Sequence, residues 1–290
     1  MLSIGIIRKN ITFIKLSNID LEKLLVDFKQ QGYVVIENYF NTTLIKDLID
    51  FGYQLIDGNY ETFIAPDKIK KPYNLKSTEP IQLCNVWKSN KTFAKIILSE
   101  EIGKIASFLI QWDGVRLNQD SLFLVKPGSG GVSMHQDEVY QDWNTPGNLI
   151  TATIVLTDIG ESKGGIEFIP GSHKWGKKSE PLENFFTGQF YKKSVKPYTG
   201  SNDGESLVVS AKSGALVFHH GLLWHGSNIN MSEYDRMSIA CHYMPHDSQF
   251  HHSINNPVLS HYKIHGTLEM KESFFPILWS QSNKRSEFLN

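Results

Sequence analysis

Residues 150–171 have the sequence ITATIVLTDIGESKGGIEFIPG, and their pattern indicates the fold class of this chain. An apolar, β-branched run from Ile150 to Asp158 is followed by the turn residues Gly164-Gly165, and a shorter run from Ile166 to Ile169 ends at Pro170-Gly171. Short apolar runs bounded by glycine and proline are typical of β-strands. This stretch therefore predicts two successive short strands.

The same pattern extends on both sides of this stretch. Further short runs between turn residues lie at Leu117 to Lys126, Ser206 to Val209, Ala215 to Phe218 and Met237 to Tyr243. Such a series suits an antiparallel jelly roll better than a parallel sheet, in which helices would alternate with the strands. The predicted fold class is mainly β with flanking α-helices.

The N-terminal third of the chain has helical periodicity instead. Helices are predicted at Asn18 to Phe28, after Asn41, at Thr92 to Leu98 and at Glu100 to Ile110, with a strand at Tyr33 to Ile36. Asp57 to Gln82 has no clean period and is predicted to be a loop. We expect a single domain, 1–290, with a helical part at about 1–114, a jelly-roll core at about 115–250 and a C-terminal extension at 251–290.

Composition excludes several classes of protein. With 290 residues, 40% of them hydrophobic, the chain can bury a substantial core. Its 29 basic and 30 acidic residues leave no broad basic surface, so we expect neither nucleic acid nor a membrane as partner. The chain has only two cysteines, Cys84 and Cys241, and this small number favours a reducing compartment. We therefore predict a cytoplasmic protein. Its oligomeric state is left open.

Residues Met134-His135-Gln136-Asp137 place two types of metal ligand two positions apart. On an extended backbone such residues point to the same face, so that one metal ion can reach both. The same pair could also be a hydrogen-bonded surface pair. The glycine-rich turn at Pro127 to Gly131 before it, and Tyr140 and Trp143 after it, favour a site at the end of a strand.

A further ligand is expected from the distant stretch 214–228, GALVFHHGLLWHGSN, which offers His219, His220 and His225. We choose His225 because the glycine directly after it leaves room at a metal ion. Two imidazoles and one carboxylate suit Fe(II) and leave coordination positions open. Arg236, eleven residues beyond His225, can grip the far end of a dicarboxylate, and Ser227 and Ser238 can add hydroxyl groups.

With these motifs the sequence resembles the phytanoyl-CoA dioxygenase-like (PhyH) family of Fe(II)/2-oxoglutarate-dependent oxygenases. The resemblance rests on the His-x-Asp motif, on GGIEFIPGSHK at 164–174, on HGS at 225–227 and on Arg-x-Ser at 236–238, which follow in this order. The segment Phe28 to Phe40 also resembles the opening helix and strand of the family. The similarity therefore covers nearly the whole chain.

The resemblance implies a double-stranded β-helix of the cupin-like jelly-roll type. It implies iron at His135, Asp137 and His225, and the distal carboxylate of 2-oxoglutarate at Arg236 with help from Ser227. Thr153 falls beside the cosubstrate, where the family often has a larger side chain. Gln119 is a further candidate for contact with the cosubstrate.

The implied activity is the O₂-dependent oxidation, most simply hydroxylation, of a small molecule, with 2-oxoglutarate converted to succinate. A secondary-metabolite intermediate is the leading substrate class, followed by an acyl thioester or a small amino-acid-like molecule. Two other readings are a non-redox cupin-type isomerase or hydrolase that uses Zn²⁺, and a catalytically silent binding module. Arg236 argues against the first, because a non-redox site needs no grip on a dicarboxylate. The intact set of ligands argues against the second.

Several other residues are candidates for the substrate pocket because they lie close to the ligands in sequence. They are Tyr140, Trp143, His219 and Trp224. Aromatic residues are more often core than pocket, so each could equally be a packing residue. Gly176 to Gly204, the longest irregular stretch, is predicted to be a mobile lid that substrate orders.

Overall fold

The computed structural model describes residues 19–71, 79–177, 205–253 and 259–290. The helices are α1 (Leu21–Gln31), α2 (Thr42–Ile56), α3 (Lys91–Ile97) and α4 (Glu100–Ile110). The strands are β1 (Tyr33–Ile36), β2 (Lys68–Lys70), β3 (Ile81–Cys84), β4 (Gly114–Val125), β5 (Asn144–Thr145), β6 (Ile150–Val155), β7 (Ile166–Phe168), β8 (Leu207–Val208), β9 (Leu216–His220), β10 (His225–Ser227), β11 (Arg236–Pro245), β12 (Gln249–Phe250) and β13 (Ile277–Ser280).

Three antiparallel sheets organise these strands. The largest has eight strands in the order β1-β9-β6-β11-β4-β3-β2, and β13 also pairs with β4. A three-stranded sheet has the order β10-β7-β8, and β12 pairs with β5. Neighbours in space are mostly distant in sequence, as expected of the crossing connections of a jelly roll.

Strand periodicity divides the large sheet into two faces with different chemistry. In β11, the residues in the main hydrophobic core are Met237, Ile239, Cys241 and Tyr243. The alternate residues of the same strand line a cavity on the other face: Arg236, Ser238, Ala240 and His242. One face of the sheet therefore carries the core and the other carries the candidate site.

The four helices cover the core face of the large sheet. Each begins at a polar residue whose side chain accepts a hydrogen bond from the backbone of the first turn, namely Asp20, Asn41, Asn90 and Ser99. The longest described helix, α2, has 15 residues. About 20 apolar residues are needed to span a bilayer, and no described helix is long and apolar enough to do so.

A second apolar cluster joins the small sheet to the cavity-bearing side of the large one. Phe168 of β7 packs with Val155 of β6 and Val217 of β9. Its ring stacks on Tyr33 of β1 with 4.7 Å between the ring centroids. This packing holds β10, which begins at His225, over the large sheet.

The sheet extends beyond the predicted jelly-roll core. Strands β1, β2 and β3 come from before residue 114, and β13 comes from after residue 250. The predicted loop at Asp57 to Gln82 is wrong in part, because Lys68–Lys70 pair with β3. A three-residue edge strand is too short to show a period, so the sequence did not reveal it. Most of the predicted lid, 178–204, lies outside the described residues.

The C-terminal part of the chain is tied to β4 by one buried cation, Arg116. Its Nε atom donates to the carbonyl oxygen of Phe275 at 3.1 Å. The two terminal nitrogens donate to the carbonyl oxygens of Ser248 at 3.2 Å and Met270 at 3.1 Å. Burial lowers the pKa of Arg116 to about 10, which keeps the guanidinium charged at neutral pH.

Replacing this guanidinium tests how strongly it holds the C-terminal part. We expect Arg116→Met to lower the free energy of unfolding by roughly 3 kcal/mol or more, because it leaves buried carbonyl groups without a donor. Chemical denaturation monitored by circular dichroism measures the change. Lys104→Met is the control, since its exposed pair with Glu100 contributes about 0.5 kcal/mol or less. Equal losses in the two variants would contradict the expectation.

Candidate metal centre

His135 and His225 are brought together by backbone pairing. The amide of His135 donates to the carbonyl oxygen of His225 at 2.8 Å, and the reverse hydrogen bond measures 2.9 Å. Their ring centroids lie 4.2 Å apart. The pairing depends on Gly226, because a Cβ there would lie 2.6 Å from the carbonyl oxygen of Val132. The glycine thus makes room for the neighbouring backbone, and it also lines the cavity beside the ligands.

Asp137 completes a cluster with these histidines. Its Oδ1 atom lies 3.4 Å from Nε2 of His135 and 3.5 Å from Nε2 of His225. One potential ligand atom from each residue falls within 4.8 Å of the others, and all three side chains are buried. The structure therefore brings together the three ligands predicted from the sequence.

The Nε2 atoms of both histidines face Oδ1 of Asp137. Nδ1 of His135 lies 2.8 Å from the carbonyl oxygen of Ser133, and Nδ1 of His225 lies 2.9 Å from that of Leu223. A carbonyl oxygen only accepts hydrogen bonds, so both Nδ1 atoms carry the proton. Nε2 is then the nitrogen of each ring that can bind a metal ion, the arrangement usual for a ligating histidine.

The charge states also fit a divalent metal. Burial alone would raise the pKa of the Asp137 carboxyl, but the imidazoles that surround it outweigh burial and hold that pKa well below its ordinary value. Burial lowers the pKa of His225 well below its ordinary value. An ionised carboxylate and two neutral imidazoles are the donor set that suits Fe(II).

The second oxygen of Asp137 has its own partners. The hydroxyl of Thr151 lies 2.7 Å from Oδ2, and Nε2 of His219 lies 3.1 Å from it. These contacts leave Oδ1 as the oxygen that faces the two other ligands. His219, predicted as a substrate contact, lines the cavity; it is buried, and its Nε2 atom contacts Asp137. Thr151 was missed, although its position two residues before Thr153 on one strand was a usable signal.

The cluster opens on a cavity of about 480 Å³. Six other residues predicted for the site line it, namely Gln119, Tyr140, Trp143, Thr153, His219 and Ser227. The prediction for Trp224 is wrong. Its side chain is fully buried in a cluster with Met134 and Ile169, because neighbouring residues of an extended chain point to opposite sides and His225 faces the cavity.

Arg236 also lines this cavity and is buried. One terminal nitrogen donates to the carbonyl oxygen of Gly164, whereas Nε meets no acceptor among the described residues. Burial lowers the pKa of Arg236 to about 10, and no described acidic group offsets this effect. A buried cation without a counter-charge is costly, so the site is built for an anionic ligand.

A jelly roll that combines two histidines, one carboxylate and an uncompensated arginine in one cavity defines the class of iron- and 2-oxoglutarate-dependent oxygenases. The sequence profile of the phytanoyl-CoA dioxygenase (PhyH) family matches residues 28–238. The chain belongs to this family. The predicted family, the fold class and the class of enzyme, a dioxygenase that uses iron and 2-oxoglutarate, are thereby confirmed.

Individual relatives are distant. Dioxygenase cdmA from Talaromyces verruculosus is 23% identical over 257 residues, which cover 81% of this chain and 78% of the relative. The carbocyclase SnoK from nogalamycin biosynthesis, described as non-heme and alpha-ketoglutarate-dependent, has a TM-score of 0.71 at 20% identity, covering 90% of this chain and 97% of its own. EctD from S. alaskensis, solved with 2-oxoglutarate and 5-hydroxyectoine, has a TM-score of 0.67 at 19% identity and 90% coverage of both chains.

The Thr151 hydroxyl provides a test of how the carboxylate is held. We expect Thr151→Val to weaken Fe(II) binding by about 10-fold to 100-fold, because partners that orient a ligand contribute to metal affinity on this scale. Anaerobic competition with a chromogenic chelator measures the affinity. Thr153→Val is a matched control, since Thr153 faces the same cavity but makes no hydrogen bond to Asp137. A similar loss in both variants would argue against orientation by Thr151.

Proposed function

We propose that His135, Asp137 and His225 hold the iron and that Arg236, with Ser227, binds the distal carboxylate of 2-oxoglutarate. The observation that carries this proposal is the position of Arg236. Its guanidinium is buried, lacks an acidic partner among the described residues and opens on the same cavity as the three ligands. A dicarboxylate that reaches from the metal to Arg236 supplies the missing charge.

The remaining residues position the reactants. Bound iron, with 2-oxoglutarate and O₂, supplies an oxidant strong enough to attack a C–H bond, and 2-oxoglutarate leaves as succinate and CO₂. The hydroxyl of Ser227 also accepts a hydrogen bond from the amide of Val132 at 3.0 Å, which ties β10 to the neighbouring backbone. Thr153 and Gln119 lie on the cavity face of β6 and β4, where they are proposed to contact the cosubstrate. Burial of the ligands keeps bulk water from the metal.

The substrate is proposed to be a small molecule, and the reaction a hydroxylation. The cavity of about 480 Å³ supports this size, since 2-oxoglutarate takes part of the space. The likeness to a protein of nogalamycin biosynthesis supports a secondary-metabolite intermediate. Family membership leaves no support for a zinc isomerase or hydrolase or for a silent binding module. The cytoplasmic location stays a prediction.

Removal of single ligands tests the proposed metal site. We expect His135→Ala, Asp137→Ala and His225→Ala each to lose bound iron and the conversion of 2-oxoglutarate to succinate, with the fold retained. Atomic absorption and succinate assays on the purified proteins measure both properties. His220→Ala is the control, because His220 does not line the cavity. Loss of iron in His220→Ala with retention in His225→Ala would show that the distal ligand is wrong.

Arg236 is tested most sharply with two keto acids that differ only at the distal end. We expect Arg236→Ala to weaken 2-oxoglutarate binding by roughly one to three orders of magnitude, since a charge-assisted, two-pronged contact is lost. Binding of 2-oxobutyrate, which has no distal carboxylate, should hardly change. Calorimetry on the anaerobic Fe(II) protein measures both affinities. Lysine should restore part of the loss, because it supplies the charge without the fork.

Equal weakening for the two keto acids would place the distal carboxylate elsewhere in the cavity. It would leave the metal site itself untouched, because the three ligands are tested separately by iron content.

A further inference from the structure

A chain of hydrogen bonds leads from Asp137 to a histidine that the proposed function does not use. The hydroxyl of Thr151 lies 2.7 Å from Oδ2 of Asp137 and 2.9 Å from Nδ1 of His242. Strands β6 and β11 pair in a register that sets Thr151 opposite His242. Both residues line the cavity.

The positions of the protons in this chain follow from the carboxylate. An ionised carboxylate only accepts hydrogen bonds, so Thr151 donates its single proton to Asp137. The hydroxyl oxygen of Thr151 must then accept from His242, which places a proton on Nδ1 of that ring. In the neutral imidazole, Nε2 of His242 is left with a lone pair.

This lone pair is available to a ligand. Nε2 of His242 has no hydrogen-bond partner among the described residues. It is also not one of the buried polar atoms that lack a partner, so it is accessible. The side chain is 19% exposed and lines the cavity. The atom therefore opens on the space in which a substrate lies.

His242 is not placed to be a further metal ligand. The nitrogen nearest Asp137 is Nδ1, at 3.5 Å from Oδ2, and Thr151 already occupies it. The ligand atoms that converge come from His135, Asp137 and His225 alone among the described residues. The imidazole lies next to the metal site and lines the same cavity.

We infer that His242 determines substrate specificity: its Nε2 accepts a hydrogen bond from a hydroxyl or N–H group that the substrate carries close to the oxidised carbon. This inference rests on the proposed function. The closeness follows from the chain itself, since a single hydroxyl separates His242 from a carboxylate of the metal site. A site that pairs a substrate O–H or N–H discriminates strongly against analogues that lack it. The preferred substrates are therefore polar molecules, not plain hydrocarbon chains.

Chemical labelling tests the state of the nitrogen without any substrate. Diethylpyrocarbonate acylates unprotonated, accessible imidazole nitrogen. On the anaerobic protein loaded with Fe(II) and 2-oxoglutarate, we expect mass mapping to show a modified His242, with His135, His219 and His225 unmodified because their Nε2 atoms are engaged. An unmodified His242 would overturn the inference. The result does not depend on turnover, so it separates this inference from failure of the proposed function, which succinate formation reports.

A matched pair of probes tests the role in recognition. We expect benzyl alcohol to bind the loaded wild-type protein roughly fivefold tighter than benzyl methyl ether, the ratio that one neutral hydrogen bond gives. Ligand-observed NMR measures both affinities. In His242→Asn, whose amide can still donate to Thr151, we expect iron affinity to persist and the preference for the alcohol to disappear. His242→Gln, which offers an acceptor near the position of Nε2, should keep part of it.

Equal binding of the two probes to the wild-type protein, or no binding of either, would overturn the inference. So would an unchanged preference in His242→Asn. A loss of iron in that variant would show that His242 acts on the metal site and not on the substrate.

Discussion

A buried carboxylate is the constraint on which the rest of this site depends. Asp137 is removed from water, so each of its oxygens needs partners within the protein or a bound cation. Oδ2 is in hydrogen-bond contact with Thr151 and His219, whereas Oδ1 faces His135 and His225. This division decides which oxygen can reach a metal. Because the partners come from β6, β9 and β10, the carboxylate also requires both sheets to be in register.

Much of the fold and of the metal site could be predicted from local patterns. Short apolar runs and turn residues identified the strands, and the spacing of His135 and Asp137 identified one half of the site. For the glycine that follows His225, the structure adds a reason that the sequence could not show. Gly226 is needed because the backbone of Val132 passes within 2.6 Å of the position a Cβ would take, and no local pattern reveals such a crossing.

The parts that could not be predicted depend on pairing between distant segments. Thr151 and His242 are unremarkable in sequence, and only the register of β6 with β11 makes them neighbours. Trp224 was misplaced because closeness along the chain was taken for closeness in space. Edge strand β2 was missed because three residues show no period. Register and sidedness are set by the whole sheet, so local sequence carries little information about them.

The backbone bridge between His135 and His225 also affects the order in which the chain folds and binds a metal ion. The two residues are far apart along the chain and meet through one isolated bridge at the edge of the small sheet. Contacts of such long range form late, because the closure entropy of the intervening loops must be overcome first. The full set of three ligands exists only once this pairing has formed. A metal ion that needs all three therefore binds the folded chain and stabilises it by mass action.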